Sequence, residues 1–181
     1  MRQPDFSVFP ALTTSRFVLR KLSLDDAAVI YQLRSDIEVA RLTGKKPFTS
    51  LDEAFTYINR IENLINANEC IFWGIAYQDT EALIGAICLW NFDLPEETVE
   101  VGYELLPQFQ NKGIMAEVLS CVVAYGFDTM GAKAIMAFPS SENPGSVKLL
   151  EKKGFKQAPD HYKHTHADVA GMLTYILSAP T

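Results

Sequence analysis

The chain predicts a mixed α/β fold with helices packed around one sheet. Three observations carry this: two capped amphipathic helices early in the chain, three consecutive segments rich in β-branched and aromatic residues in the middle, and alternating helix and strand patterns after Leu106. No internal repeat, low-complexity tract or Pro/Gly-rich linker divides the 181 residues. A hydrophobic content of 48% fills one sizeable core, so a single domain over 1–181 is expected, with a short N-terminal extension at about 1–12.

Residues 16–22 read as the first strand, near an edge, with Phe17, Leu19 and Lys21 on one face and Val18, Arg20 and Leu22 on the other. Ser23 before Leu24, Asp25 and Asp26 is a capped helix start with acids in the first turn, where unpaired N–H groups and the positive dipole end lie. Ala27, Ile30, Tyr31 and Leu33-Arg34 continue at helical spacing. Thr49 and Ser50 before Leu51, Asp52 and Glu53 repeat the signal, and Ala54, Phe55, Ile58, Ile61, Leu64 and Ile65 form an apolar stripe. Segments 71–77, 82–90 and 98–106, separated by turn-prone 78–80 and 91–97, read as an antiparallel meander. A helix over 116–129, a strand over 133–138, a helix over 146–153 closed by Gly154 and a strand over 172–177 complete the reading.

Composition excludes several function classes. The net charge is -6 and the Lys and Arg residues are scattered, so no basic stripe is available to neutralise nucleic-acid phosphates. An acidic surface favours encounter with a cationic partner such as an amine. Cys70, Cys88 and Cys121 form an odd set in apolar stretches without a CxxC pair, which reads as buried free thiols in a reducing cytoplasm. No run approaches the ~20 apolar residues that span a bilayer, and residues 1–10 lack a continuous hydrophobic region, so a soluble, unsecreted protein without a membrane partner is expected.

Residues 107–117 stand between a strand and a helix, the context in which a glycine-containing loop acquires meaning. Gln110, Asn111, Lys112, Gly113, Ile114, Met115 and Ala116 bring the chain onto the helix, whose first N–H groups point outward and can hold a pyrophosphate. Gly113 permits a tight turn and a close approach, and Lys112 adds only a screened charge. A plain loop before a helix is the alternative. The segment is neither a P-loop, which needs GxxxxGK[ST], nor a three-glycine dinucleotide fingerprint.

Further blocks surround this loop in a fixed order. They are Thr14-Ser15-Arg16-Phe17-Val18-Leu19-Arg20, Leu24-Asp25-Asp26-Ala27, Ser35-Asp36-Ile37-Glu38-Val39, Leu83-Ile84-Gly85-Ala86-Ile87, Val99-Glu100-Val101-Gly102-Tyr103-Glu104-Leu105, and Glu142-Asn143-Pro144-Gly145-Ser146 running on to Phe155. From about Leu12 to the last strand, the sequence resembles the GNAT superfamily of N-acetyltransferases, in the subgroup similar to the ribosomal-protein N-terminal acetyltransferases. The resemblance implies a mixed, mostly antiparallel sheet of six to seven strands flanked by about four helices. It also implies acetyl-CoA as acyl donor, no metal, and a primary amine acceptor on a protein N-terminus or a small molecule. A homodimer is a further expectation from it.

The same resemblance assigns roles. Backbone groups of Tyr103, Glu104 and Leu105 would hold the pantetheine and aim an amide at the thioester carbonyl, and Asn143 would bond a pantetheine amide, its alternative being a turn residue before Pro144. Gly102 is consistent with a bulge or a close backbone approach. Glu100 and Glu104 share a strand face roughly 13 Å apart, so only one can sit near the thioester. Glu100 occupies a place similar to that of the general base in some relatives; its alternative is a solvated charge on a wet face. Many relatives place a Tyr acid where this chain has Leu150, whereas the subgroup has a Ser at Ser146, able by analogy to hydrogen-bond the leaving sulfur; its alternative is a helix cap.

Two departures shape the second reading. The family's loop, Q/R-x-x-G-x-G/A, ends in a small residue where this chain has Met115, and the Tyr acid is missing. A non-catalytic acyl-CoA-binding module is therefore the alternative to an enzyme. His161, His164 and His166 cluster without a second group of ligands to complete a tetrahedral site, so no metal is expected. Trp90 and Phe92 border the loop where an acceptor would enter.

Overall fold

A computed structural model describes residues 1–159 and 171–180, so His161, His164 and His166 lie outside the described residues. The chain runs through β1 (Leu12–Thr13), β2 (Phe17–Arg20), a 3₁₀ turn (Leu24–Asp26), α1 (Ala27–Ser35), α2 (Ile37–Thr43) and α3 (Leu51–Asn66). The meander follows as β3 (Cys70–Tyr77), β4 (Leu83–Asp93) and β5 (Thr98–Leu105). Then come α4 (Ile114–Ala124), a π-helical turn (Tyr125–Thr129), β6 (Ala134–Ala137), α5 (Pro144–Lys152), β7 (Lys156–Gln157) and β8 (Tyr175–Ser178). Among the described residues, one eight-stranded sheet has the order β1-β2-β3-β4-β5-β6-β8-β7. Neighbouring strands are antiparallel except β5 with β6, which are parallel.

Two more edge strands are present than the sequence pattern resolves, because β1 and β7 are two residues long and too short to show periodicity. Helix α2 is also additional. Asp36 caps it by accepting from the Val39 amide at 2.9 Å, and Gly44 closes it at φ +66°. The capped start falls on the 3₁₀ turn that leads into α1 at Ala27: Asp26 accepts from the Ser23 amide at 2.8 Å and forms a two-pronged pair with Arg20. Helix α3 buries Ala54, Ile58, Ile61 and Ile65, one face of a 3.6-residue repeat, each large side chain contributing roughly 1.5–3 kcal/mol. Phe55 lies at the edge of that stripe and is exposed.

The register divides the sheet into two faces. Phe72, Cys88, Gly102 and Glu104 lie on one, covered by α1 and α3, as the Arg34–Glu104 ion pair and the Tyr57–Phe72 ring contact show. Trp73, Leu89, Val101 and Ile135 lie on the other, against the π-helical turn, where Trp73 meets Tyr125 edge-on and Gly126 packs on Ile135 and Leu89. The N-terminal extension is tied down: Phe6 is buried, its amide bonds Asn68, and the Pro10 carbonyl accepts from the Trp73 indole. No helix among the described residues is long and apolar enough to cross a membrane.

Candidate active site

The central strand β5 has two halves. Thr98 and Glu100 pair on both sides, with β4 and with β6 in parallel, and Val99, opposite the β4 register break, pairs with β6. From Val101 to Leu105 the ladder continues only toward β4. Strand β6 ends at Ala137 and is followed by Phe138 and Pro139, whose ring nitrogen has no hydrogen to donate to a ladder. The sheet therefore splits between β5 and β6, and the backbone of Tyr103, Glu104 and Leu105 borders the split.

At the end of this half-open strand the chain passes through Pro107–Phe109 and then the predicted loop. Gln110 turns back and donates from Nε2 to the Leu105 carbonyl at 3.1 Å, fastening the loop to the strand. Asn111 and Gly113 both adopt the left-handed conformation, φ +59° and +72°. Gly113 is the residue immediately before α4, and a Cβ built on it would have no atom within 4 Å, so the space above it is open. Gln110 to Gly113 are all exposed, and the first turn of α4 follows directly at Ile114. Lys112 places its ammonium 5.7 Å from the Phe109 ring centre.

Met115 is buried in the apolar core alongside Ile114, Val118 and Leu119, with 8% of its surface exposed. Its long side chain faces inward, away from the open space over Gly113. The residues fit a pyrophosphate: outward amides at the head of an 11-residue helix, a left-handed turn and an exposed rim.

The two β5 carboxylates occupy different environments although they share a face. Glu104 is buried and pairs with the Arg34 guanidinium at 2.6 Å, and Arg34 also donates to the Tyr57 hydroxyl at 2.7 Å. Burial works against the charge of Arg34, but Glu104 outweighs it and raises the guanidinium above its ordinary range. The ring of Tyr57 lies 4.0 Å beneath the guanidinium carbon. Glu100 is also buried, 4% exposed, which excludes a solvated charge on a wet face. It accepts from Asn91 Nδ2 at 2.5 Å.

Asn91 reaches Glu100 because β4 breaks register between Trp90 and Asp93, and Asn91 takes a left-handed conformation at φ +49°. An irregularity of this kind re-aims a side chain. The ladder beside Gly102 is regular, so that glycine marks a close approach: a Cβ there would lie 3.3 Å from Cys88 Sγ. Cys88 and Cys70 are free thiols whose titration is pushed up by burial, to about 11 and about 12, which makes them inert.

Across the split, Asn143 caps α5 by accepting from the Ser146 amide at 3.0 Å. Ser146 is thus not the cap. Its hydroxyl lies 2.7 Å from the Tyr103 hydroxyl. Asn143 spends its oxygen on the cap, and no described hydrogen bond uses its Nδ2. Leu150, at the place of the missing Tyr, is fully buried. No group of three or more potential metal ligands occurs among the described residues. Sequence reasoning missed Arg34, Tyr57 and Asn91. Only the last left a signal, an Asn in a turn-prone segment, since long-range partners of a buried carboxylate have no local pattern.

A family model for the acetyltransferase (GNAT) domain matches residues 16–156. The chain belongs to the GNAT acetyltransferase family. The uncharacterized N-acetyltransferase YoaA of Bacillus subtilis is 35% identical over 150 residues, covering 83% of this chain and 85% of the relative. The spermidine N-acetyltransferase of Vibrio cholerae, solved with CoA and spermine, superposes with a TM-score of 0.76 at 20% identity, covering 91% of this chain and 96% of that one. The ribosomal-protein-S5-alanine acetyltransferase of Vibrio fischeri gives 0.72 at 20% identity, covering 93% and 96%. These two superpositions establish the GNAT fold. As a GNAT enzyme the protein is an acetyl-CoA-dependent N-acetyltransferase.

Proposed function

We propose that this GNAT enzyme transfers the acetyl group of acetyl-CoA to a primary amine, on a peptide N-terminus or a small molecule, by direct attack within the β5–β6 split. The observation that carries the reading is the half-open β5 leading straight into the left-handed turn before α4. An unpaired strand edge offers N–H and C=O groups at fixed spacing to an extended chain with its own amides, the chemistry of pantetheine. The head of α4 then meets the pyrophosphate through the amides from Asn111 to Ala116, while the Gln110 amide stays on the Pro107 carbonyl at 3.2 Å and shapes the turn. Asn143, with its Nδ2 turned to no described partner, supplies one more bond to a pantetheine amide.

Acetyl-CoA supplies an activated acyl carbon, a thioester carbonyl that a neutral amine can attack. A backbone amide in the segment from Tyr103 to Leu105 stabilises the oxyanion. Glu100 receives the amine proton, directly or through water. Glu104 is committed to Arg34, an always-charged partner, and holds the strand in place. Ser146 hydrogen-bonds the leaving sulfur. Kinship with the ribosomal-protein acetyltransferase subgroup, a homodimer and a cytoplasmic location belong to the same reading, the last supported by three free cysteines.

The test is to mix the protein with acetyl-CoA and a panel of peptide N-termini, polyamines and amino acids, and to follow free thiol. Release of one thiol per acetylated amine is expected for at least one class. Tight acetyl-CoA binding with no release on any amine would instead establish a binding module.

A further inference from the structure

We propose that Tyr103 is a positioning residue for the departing sulfur, donating its phenol hydrogen to Ser146 Oγ so that the serine hydrogen is aimed into the split. The inference rests on the reading of Ser146 given above and extends it to a side chain that otherwise contributes only its backbone. The two hydroxyl oxygens are 2.7 Å apart, a short O–H···O contact, and they join β5 to α5, the elements on either side of the split.

Either hydroxyl can be the donor, but the phenol is the more acidic group and the better donor, and one hydrogen cannot serve both directions. With Tyr103 donating, the serine hydrogen is released for another acceptor. The Ser146 amide is fixed on Asn143 Oδ1 at 3.0 Å, so the backbone beneath the hydroxyl is held as well. A serine in a helix without such a partner turns its hydroxyl toward nearby backbone oxygens. Tyr103 removes that freedom.

The chemistry balances without a proton leaving either hydroxyl. The amine nitrogen bonds to the acyl carbon, the carbon–sulfur bond breaks, the sulfur leaves with the electron pair as thiolate, and the amine proton goes to the Glu100 carboxylate. Burial pushes the Tyr103 phenol up to about 12, against an ordinary thiol value of about 8.5. Full transfer to sulfur is therefore uphill, and the pair acts by hydrogen bonding. Two hydrogen bonds in series polarise each other, so the serine hydrogen becomes a stronger donor to a thiolate than an isolated hydroxyl.

The experiment is a cycle of Tyr103→Phe, Ser146→Ala and the double variant, assayed on the most reactive amine of the panel. It is paired with a titration of the thiolate absorbance of CoA bound to each protein, which needs no acceptor. The expected result is a roughly 5- to 10-fold lower kcat for Y103F with the KM for acetyl-CoA within about twofold, and a double variant no slower than S146A. Bound CoA should titrate higher in Y103F than in the parent by about half a pH unit or more. An S146A enzyme slowed while Y103F keeps the parental rate and titration overturns the role of Tyr103 alone. Additive losses do the same, since they make Tyr103 independent of Ser146. An S146A enzyme at full rate overturns the reading of Ser146 itself and this inference with it.

Discussion

On the sheet face covered by α1 and α3, Arg34, Glu100 and Glu104 are buried against the strands. The face covered by the π-helical turn and α5 is lined by Trp73, Leu89, Val101 and Ile135, with the Tyr103–Ser146 contact as a polar point on it. A buried charge is costly unless paired and hydrogen-bonded, so three on one face mean that the face is organised around more than packing. The apolar face supplies rigidity; the polar face holds a carboxylate in a dry place next to a split in the sheet. Within the polar face itself, Glu104 and Glu100 are held in different ways. One is neutralised by a guanidinium, and the other is oriented by an amide.

Removing the Glu100 carboxylate should break the comparison most sharply. Glu100→Gln keeps the shape and a hydrogen-bonding oxygen but cannot accept the amine proton, and kcat/KM should fall by about two to four orders of magnitude. A rate within a fewfold of the parent would show that the polar face does not remove the proton.

Next in size is the Arg34–Glu104 pair. Arg34→Met leaves Glu104 buried without its cation and should lower unfolding stability by about 3–5 kcal/mol in urea titrations. Adding Glu104→Leu should recover much of that loss, because two apolar groups replace a stranded charge. A double variant as unstable as R34M would mean that Arg34 acts through packing on Tyr57 and Phe48.

On the apolar face, Met115→Ala removes a buried side chain from the core and should cost roughly 2 kcal/mol or more of stability. That loss should exceed the change in acetyl-CoA affinity expressed in the same units. Markedly tighter binding would place the methionine over the phosphate and reverse the assignment.

The smallest effect concerns Glu117 in the first turn of α4. Burial opposes its charge, but hydrogen bonds from Thr14, Arg16 and Ser15 outweigh this and lower its pKa from 4.5 to about 2. The folded form holds the proton less tightly than the unfolded chain. The stabilisation is therefore complete above about pH 4.5 and is lost as pH falls toward about 2. Glu117→Gln should flatten the stability profile in that window and leave it parallel to the parent above it, as measured by thermal unfolding at stepped pH.

How much was legible follows from how local each feature is. The start after Ser23, the start of α3 after Ser50, where the Thr49 amide bonds the Glu53 carboxylate, the stripe of α3 and the three meander strands were readable because each is set by neighbours a few residues apart. Strands β1 and β7 were not, since two residues carry no period. Helix α2 was readable only in hindsight, from Asp36 before it and Gly44 after it. The loop residues were named from sequence, and their left-handed backbone matches the need for Gly at 113 and for Asn at 111. Gln110 stands in the loop by sequence, but its side chain bonds the Leu105 carbonyl and its amide the Pro107 carbonyl, partners that no local pattern announces.

The sequence by itself determined the order of elements, the family, and the position of a glycine turn at the head of a helix, because spacing and local backbone preference are written along the chain. Only the tertiary structure decided that Glu104 is spent on Arg34, that Asn91 holds Glu100, that Met115 faces the core and that Tyr103 meets Ser146. Each of these depends on where sheet register and helix packing bring distant groups together, and a one-residue shift in register would send every strand side chain to the opposite face.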